Sequence, residues 1–310
     1  MRLILLLNMG GPNDISEVEV FLKNMFNDPC ILGIKSQLLR KFVAFAITKS
    51  RLKTAQNNYR QIGGKSPICE LTARLCGKIS HFLEDDETAA FAMNYTPPFA
   101  KDVLAEFAQA SEIVVFPLYP HHSITTVTSS LNDFKKACRE LNLQAKIKII
   151  EPFFTDDRYN EIIADCIEKS ARNLNTDDIT LIFSAHSLPQ KIIDAGDVYE
   201  EHVKQHVQIL TEILEKRGVK FKQTMLAYQS RLGPVKWLEP SLNQALAELK
   251  DKKALIYPIS FCIDNSETVF ELSKEFKRIA DELKFDFYDV AACPNDDDKF
   301  AKFIADKARE

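Results

Sequence analysis

The chain has 310 residues, 45% apolar and 27% charged, an ordinary globular composition with room for one large domain or two of about 150 residues. No apolar run approaches the ~20 residues of a spanning helix, and the opening 1–7 stretch, stopped by Asn8, is too short for a signal-peptide core, so a cytoplasmic location is expected. Net charge is −4, without the basic excess of a dedicated nucleic-acid binder, but residues 29–69 hold eight Lys/Arg and no Asp/Glu, leaving −12 for the remainder.

Taken along the chain, short apolar runs at 3–7, 89–93, 113–116, 147–150, 180–183, 224–227 and 254–257 read as strands, and helical stretches separate most of them. That alternation predicts a parallel α/β architecture. The first three runs and the last three repeat a plan. Leu3–Leu7 and Leu181–Phe183 each run into a loop closed by Pro12 or Pro189. Residues 89–93 and 224–227 each lead to a tyrosine, Tyr95 or Tyr228. Val114–Pro117 and Ala254–Pro258 each precede a helix. The expected fold is two similar Rossmann-like domains, each a parallel sheet flanked by helices, with an active-site cleft between them. The expected bounds are 1–124 plus a C-terminal helix at 295–310, and 125–294. Ligands of open parallel sheets bind beyond the carboxyl ends of the strands. The loops there are 8–12, 94–98, 119–123, 184–189, 228–234 and 260–266.

Nine glycines include no G-x-G, which excludes the dinucleotide fingerprint and the P-loop. Seven scattered cysteines form no C-x-x-C, so neither a zinc ribbon nor a local iron–sulfur run is supported. His202 and His206, four apart on a helix, suit either a shared metal or a solvated face. His121, in the loop after the third strand, is placed for a ligand-facing role. His186 ends a buried strand between small residues, as a metal ligand, a proton acceptor or a turn histidine.

Glu267, Glu271 and Glu275 open a helix expected over 267–283, and spacing by four puts them on one face spanning roughly 12 Å. Either Asp264-x-x-Glu267 is a capping pair and the rest a solvated face, or the three carboxylates form a cation path. Ile31, Ile34, Leu38, Phe42 and Phe45 are spaced as one amphipathic helix in the basic window, a pattern that by itself more often marks a core-packed helix than a membrane contact.

Five motifs carry a family resemblance: Asn8-Met9-Gly10-Gly11-Pro12, Tyr59 through Ile68, Ser184-Ala185-His186-Ser187-Leu188-Pro189, Gln229-Ser230-Arg231-Leu232-Gly233-Pro234, and Pro258 through Thr268. In this order they resemble ferrochelatase, which inserts ferrous iron into a porphyrin at the end of haem synthesis. The resemblance implies that His186 and Glu267 are catalytic and bind metal, with Glu271 and Glu275 as an acidic conduit. It implies porphyrin contacts at Met9, Tyr59, Ser66 and Tyr95, to which the loop position adds His121. Asn94 stands where some relatives carry arginine, and Met9 resembles the protoporphyrin-using branch. The implied substrates are Fe²⁺ and protoporphyrin IX, with no tightly bound cofactor. No [2Fe–2S] cluster is expected, since the chain stops near 310 without a cysteine-bearing extension. The basic window corresponds to the hydrophobic lip of the family's cleft. Transient contact of 29–53 with anionic membrane, on the cytoplasmic face of the inner membrane, is therefore expected of a monomer. Rival readings are a cobalt chelatase of the same fold and a non-catalytic porphyrin carrier.

Overall fold

A computed structural model describes residues 1–231 and 233–310; Leu232 of the fourth motif lies outside the described residues. The chain forms two units, one of residues 1–119, 123–151 and 296–310, the other of 120–122 and 152–295.

The first unit is built on β1 (Arg2–Asn8), β2 (Glu87–Met93), β3 (Glu112–Pro117) and β4 (Lys146–Ile149), all parallel in the order β2-β1-β3-β4. The run Leu3–Leu7 is apolar throughout because both faces of a parallel strand are covered. Leu3, Leu5 and Leu7 pack with Ile113 and Val115 against Phe134 and Ala137, while Phe116 meets Phe303 of the C-terminal helix Asp298–Arg309 edge to face. The other helices of this unit are α1 (Val18–Phe26), α2 (Pro29–Leu32), α3 (Gln37–Arg60), α4 (Ile68–Ile79), α5 (Ala100–Glu106) and α6 (Ser129–Glu140). The Gly10-Gly11 pair after β1 is forced by close approach. A Cβ on Gly10, at φ +84°, would lie 2.4 Å from Thr96 Oγ1, and one on Gly11 would lie 2.6 Å from Ser66 Cβ.

The second unit repeats this topology with β5 (Thr180–His186), β6 (Gln223–Gln229), β7 (Lys253–Tyr257) and β8 (Phe287–Val290), parallel in the order β6-β5-β7-β8. Its helices are α7 (Asp157–Ala171), α8 (Gln190–Asp194), α9 (Tyr199–Lys216), α10 (Leu242–Glu248) and α11 (Lys277–Glu282). In both units the segment after the third strand begins as a wide π-helix, Ile124–Thr128 before α6 and Glu267–Phe276 before α11.

Four expectations change. The boundary placed at 124/125 falls at 151/152, because β4 pairs with β3 and α6 packs on the same sheet. Strand β8, too short and mixed to stand out in sequence, completes the second sheet. The helix over 267–283 begins as placed, but its first ten residues wind as a π-helix and its last helical residue is Glu282. The amphipathic run 31–45 is not one helix. Gly33, at φ +68°, ends α2, and Ser36 caps α3 by accepting from Leu39 N. Arg40 holds this break together, donating to the carbonyls of Asn27 and Ile34, each at 2.7 Å.

Candidate active site

The central strand β5 is fully buried along Thr180–Ala185, and its last residue, His186, emerges at the carboxyl edge of the sheet. Gln229, the last residue of the neighbouring β6, lies opposite it in register. On the other side of β5, β7 leads through the 258–266 loop to Glu267. Three adjacent strands thus deliver an amide, an imidazole and a carboxylate to one edge. The π-helix start is tied down by Asn265, whose Oδ1 accepts from Glu267 N at 2.8 Å and whose N donates to Thr268 Oγ1 at 3.0 Å. Asn265 therefore does the capping, and the Glu267 carboxylate is left for the site. Asp264, the other candidate capping residue, is bound instead to Asn295.

His186 Nδ1 lies 2.7 Å from Glu267 Oε2. A carboxylate only accepts, so Nδ1 carries the hydrogen, and Nε2 has no hydrogen-bond partner among the described residues. The backbone around the imidazole is also held. His186 N donates to Ser260 Oγ at 3.2 Å, and its carbonyl accepts from the Tyr199 hydroxyl at 3.0 Å. The imidazole keeps 38% exposure against 18% for the Glu267 side chain, so it is the accessible member of the pair.

Glu267 Oε2 takes three donors: His186 Nδ1, Ser230 Oγ at 3.0 Å and Gln229 Nε2 at 3.2 Å. Its Oε1 has none among the described residues, so each partner of the pair retains one open position. Burial opposes charge on both. For His186, the Glu267 carboxylate, their hydrogen bond and the Glu271 charge outweigh it and raise the imidazole above its ordinary value. For Glu267, the His186 charge and bond, then the Ser230 and Gln229 donors, hold the carboxyl below its ordinary value. Each partner therefore favours the charged form of the other, imidazolium beside carboxylate.

Behind it, burial and then the Glu267 charge push the Glu271 carboxyl up to about 7. Ser230, at φ +64°, touches both acids, since its N donates to Glu271 Oε1 at 2.8 Å and its hydroxyl contacts Glu271 Oε2 as well as Glu267. A hydroxyl has one proton to give. It bonds both acids at once when it donates to Glu267 and accepts from a protonated Glu271. Glu271 follows Glu267 on the same side of the π-helix because a step of four residues falls a little short of one wide turn. Glu275 is exposed and stands apart from this network.

The expected porphyrin residues divide. Met9 is half-buried against the Phe21–Tyr59 cluster. Tyr59 is buried in that cluster, and Ser66 donates its N to the Pro12 carbonyl at 2.8 Å. Tyr95 is buried, and its hydroxyl donates to Asp28 Oδ2 at 2.8 Å, beside Ser129, which Asn94 Nδ2 contacts at 2.7 Å. His121 is only 2% exposed. Its Nε2 meets His206 Nδ1 at 2.9 Å, and His206 Nε2 meets Asn160 Oδ1 at 2.8 Å. Asn160 Nδ2 donates to the Phe154 carbonyl, which fixes the amide, so His206 carries its hydrogen on Nε2 and accepts from His121 at Nδ1. The Tyr95 hydroxyl and the His121 Nε2 are thus engaged inside their own units, while His121 Nδ1 is buried without a hydrogen-bond partner among the described residues. The option of a metal shared by His202 and His206 falls for the same reason, since His202 Nδ1 accepts from His122 N at 3.2 Å. Among the described residues, no group of three or more His, Cys, Asp or Glu is arranged to hold a metal. Gln229, Ser230 and Ser184 lie within two of the resemblance motifs, but the sequence assigns them no individual role. Their signal was position, at the end of or within strands flanking His186.

This arrangement matches known chelatases in fold. It resembles CbiX, the terminal enzyme for biosynthesis of siroheme in denitrifying bacteria, at TM-score 0.53 and 13% identity over 99% of this chain and 97% of that one. It also resembles SirB from Bacillus subtilis with Fe³⁺, at TM-score 0.56 and 12% identity over 100% and 94%. Sequence narrows the class. The family model for ferrochelatase matches residues 3–310. Ferrochelatase of Campylobacter concisus is 62% identical over 99% of this chain and 97% of the relative. Ferrochelatase of a Nitratiruptor species is 50% identical over 99% and 98%. The chain belongs to the ferrochelatase family.

Proposed function

We propose that the protein inserts Fe²⁺ into protoporphyrin IX, forming protohaem with release of two protons, and that His186 and Glu267 carry the reaction. The observation that carries this reading is the 2.7 Å imidazole–carboxylate pair with one open atom on each partner. Metallation removes two pyrrole protons and strips water from a divalent cation. Histidine and carboxylate positions suit ferrous iron without the tight hold of a thiolate set. An approaching cation lowers the proton affinity of the pair, which opens Nε2 as an acceptor. Glu267 Oε1 provides the second basic or ligating position, and Glu271 is the next carboxyl along the π-helix for a proton or cation. Glu275, exposed, is the outer end of that route. Met9, Tyr59 and Ser66 remain the proposed porphyrin contacts, while Tyr95 and His121 hold the shape of their loops.

No helix among the described residues is long and apolar enough to cross a membrane. The start of α3 nevertheless exposes Leu38 at 83%, Leu39 at 54%, Phe42 at 70% and Phe45 at 61%, with Lys49 over the Phe45 ring. Greasy side chains beside Lys35, Lys41 and Lys49 suit an anionic lipid surface, from which an apolar porphyrin is drawn. The reading is tested by mixing the protein with Fe²⁺ and protoporphyrin without oxygen and following absorbance. His186→Ala and Glu267→Gln each stay folded and bind porphyrin but metallate it at least about a hundredfold more slowly. Near-normal insertion by either variant refutes the assignment.

A further inference from the structure

Glu267 reaches its task through a soft torsion, because the terminal rotation of a glutamate is broad and nearly two-fold. Something must decide which oxygen is bound and which stays open. The answer starts one turn of the pleat below His186. Ser184, with no exposed surface, places its Oγ 2.6 Å from Gln229 Oε1. Gln229, 1% exposed, places its Nε2 3.2 Å from Glu267 Oε2. The direction of each bond follows from counting protons. Facing a carboxylate, Gln229 must present its NH₂ end, since the flipped amide would set two acceptors against each other. Its carbonyl then faces Ser184, whose hydroxyl has to donate.

We infer that Ser184 and Gln229 form a two-step brace that, together with the His186 and Ser230 donors on the same oxygen, orients the Glu267 carboxylate, keeping Oε2 bound and Oε1 open to the substrate. Both are positioning residues. Ser184 acts on the reaction only through the amide of Gln229. The inference rests on the proposed role of Glu267, and it adds a determinant outside the His186–Glu267 pair. Without the Ser184 hydroxyl, the Gln229 carbonyl is left buried and unpaired, and the amide loses the contact that points its NH₂ end at Glu267.

The experiment is a double-mutant cycle on the full chain, with anaerobic Fe²⁺ insertion into protoporphyrin as the rate and thermal unfolding as the control. Ser184→Ala lowers kcat about tenfold, with KM for porphyrin nearly unchanged. Gln229→Met, which removes the amide at similar volume, lowers kcat at least as far. Adding Ser184→Ala to Gln229→Met costs nothing further in kcat and recovers stability, because the serine hydroxyl no longer lacks an acceptor. Equal kcat losses for Ser184→Ala in the two backgrounds overturn the brace, as does a fall in melting temperature with kcat unchanged. If His186→Ala and Glu267→Gln also metallate normally, the assignment of the reacting pair fails. If they are slow while Ser184→Ala is not, only the brace fails.

Discussion

Replacing Glu271 by glutamine stabilises this protein above neutral pH while slowing it. Burial, and next the charge of Glu267, lift the Glu271 carboxyl from 4.5 to about 7. The unfolded chain is free of both, so it ionises near 4.5. An acid raised in the fold favours folding fully below its unfolded value, and that contribution is lost as pH rises through the folded value. Holding Glu271 ionised at pH 8 therefore costs about 3 kcal/mol, at about 1.4 kcal/mol for each pH unit separating the two values. Glutamine avoids this cost without breaking the network. Its Oε1 accepts from Ser230 N and its NH₂ donates to the Ser230 hydroxyl, which still donates to Glu267, as in the protonated acid. Urea unfolding at pH 4.5 and pH 8 is the assay. Glu271→Gln matches the parent at the lower pH and exceeds it by about 1–3 kcal/mol at the higher. Iron insertion by the variant is slower at pH 8, since an amide takes up neither a proton nor a cation. A variant less stable than the parent at pH 8, or offset equally at both, refutes this account of Glu271.

Two further outcomes follow from groups away from the His186–Glu267 pair. Burial pushes the His206 imidazole from 6.5 down to about 3, and His121 is likewise held well below its ordinary value by burial and its histidine neighbours, so folding excludes their protons. Their stabilisation is complete above pH 6.5 and lost as pH falls, and His206→Gln reduces the slope of urea-measured stability between pH 6.5 and 4.5 by about 1.4 kcal/mol per pH unit; an unchanged slope counts against it. Arg40→Ala, which frees the Asn27 and Ile34 carbonyls, speeds proteolysis at residues 33–36 and costs about 1–2 kcal/mol. Lys41→Gln leaves that cleavage rate alone and weakens binding to anionic vesicles, so equal proteolysis of the two variants argues against the Arg40 clamp.

The two units share strand order, and each places a π-helix after its third strand, yet their chemistry differs. Where the central strand of the second unit ends in His186, that of the first ends in Asn8. In the second unit a π-helix brings Glu267 and Glu271 towards that strand end. In the first, Ser129, at the end of its π-helix, joins Tyr95 and Asp28 in a hydrogen-bonded cluster that fixes the loop before α2. One architecture thus supports the proposed reacting edge in one copy and a structural polar core in the other.

Much of this could be read from residue order. Seven of the eight strands are legible as short apolar runs; β1, β3, β5 and β7 are continuous because both faces are covered, whereas β2, β4 and β6 are partly exposed and their runs are weaker. The repeated strand–loop–proline plan exposed the duplication. His186 stands out by ending a buried strand, where a side chain escapes the core, and Glu267 by opening a helix with Glu271 and Glu275 at steps of four. Other features depended on partners distant in sequence. Strand β4 belongs with the first sheet because it pairs with β3, and no local pattern in 124–151 records that pairing. His121 looked ligand-facing in its loop until His206, 85 residues away, took its Nε2. The periodicity of Glu267, Glu271 and Glu275 predicts three carboxylates on one face. Tertiary structure separated them into one paired with a histidine, one burdened by its neighbour's charge and one exposed. Sequence spacing determines which residues can share a face. Burial and hydrogen-bond donors, which fold in from elsewhere, decide which proton each one holds.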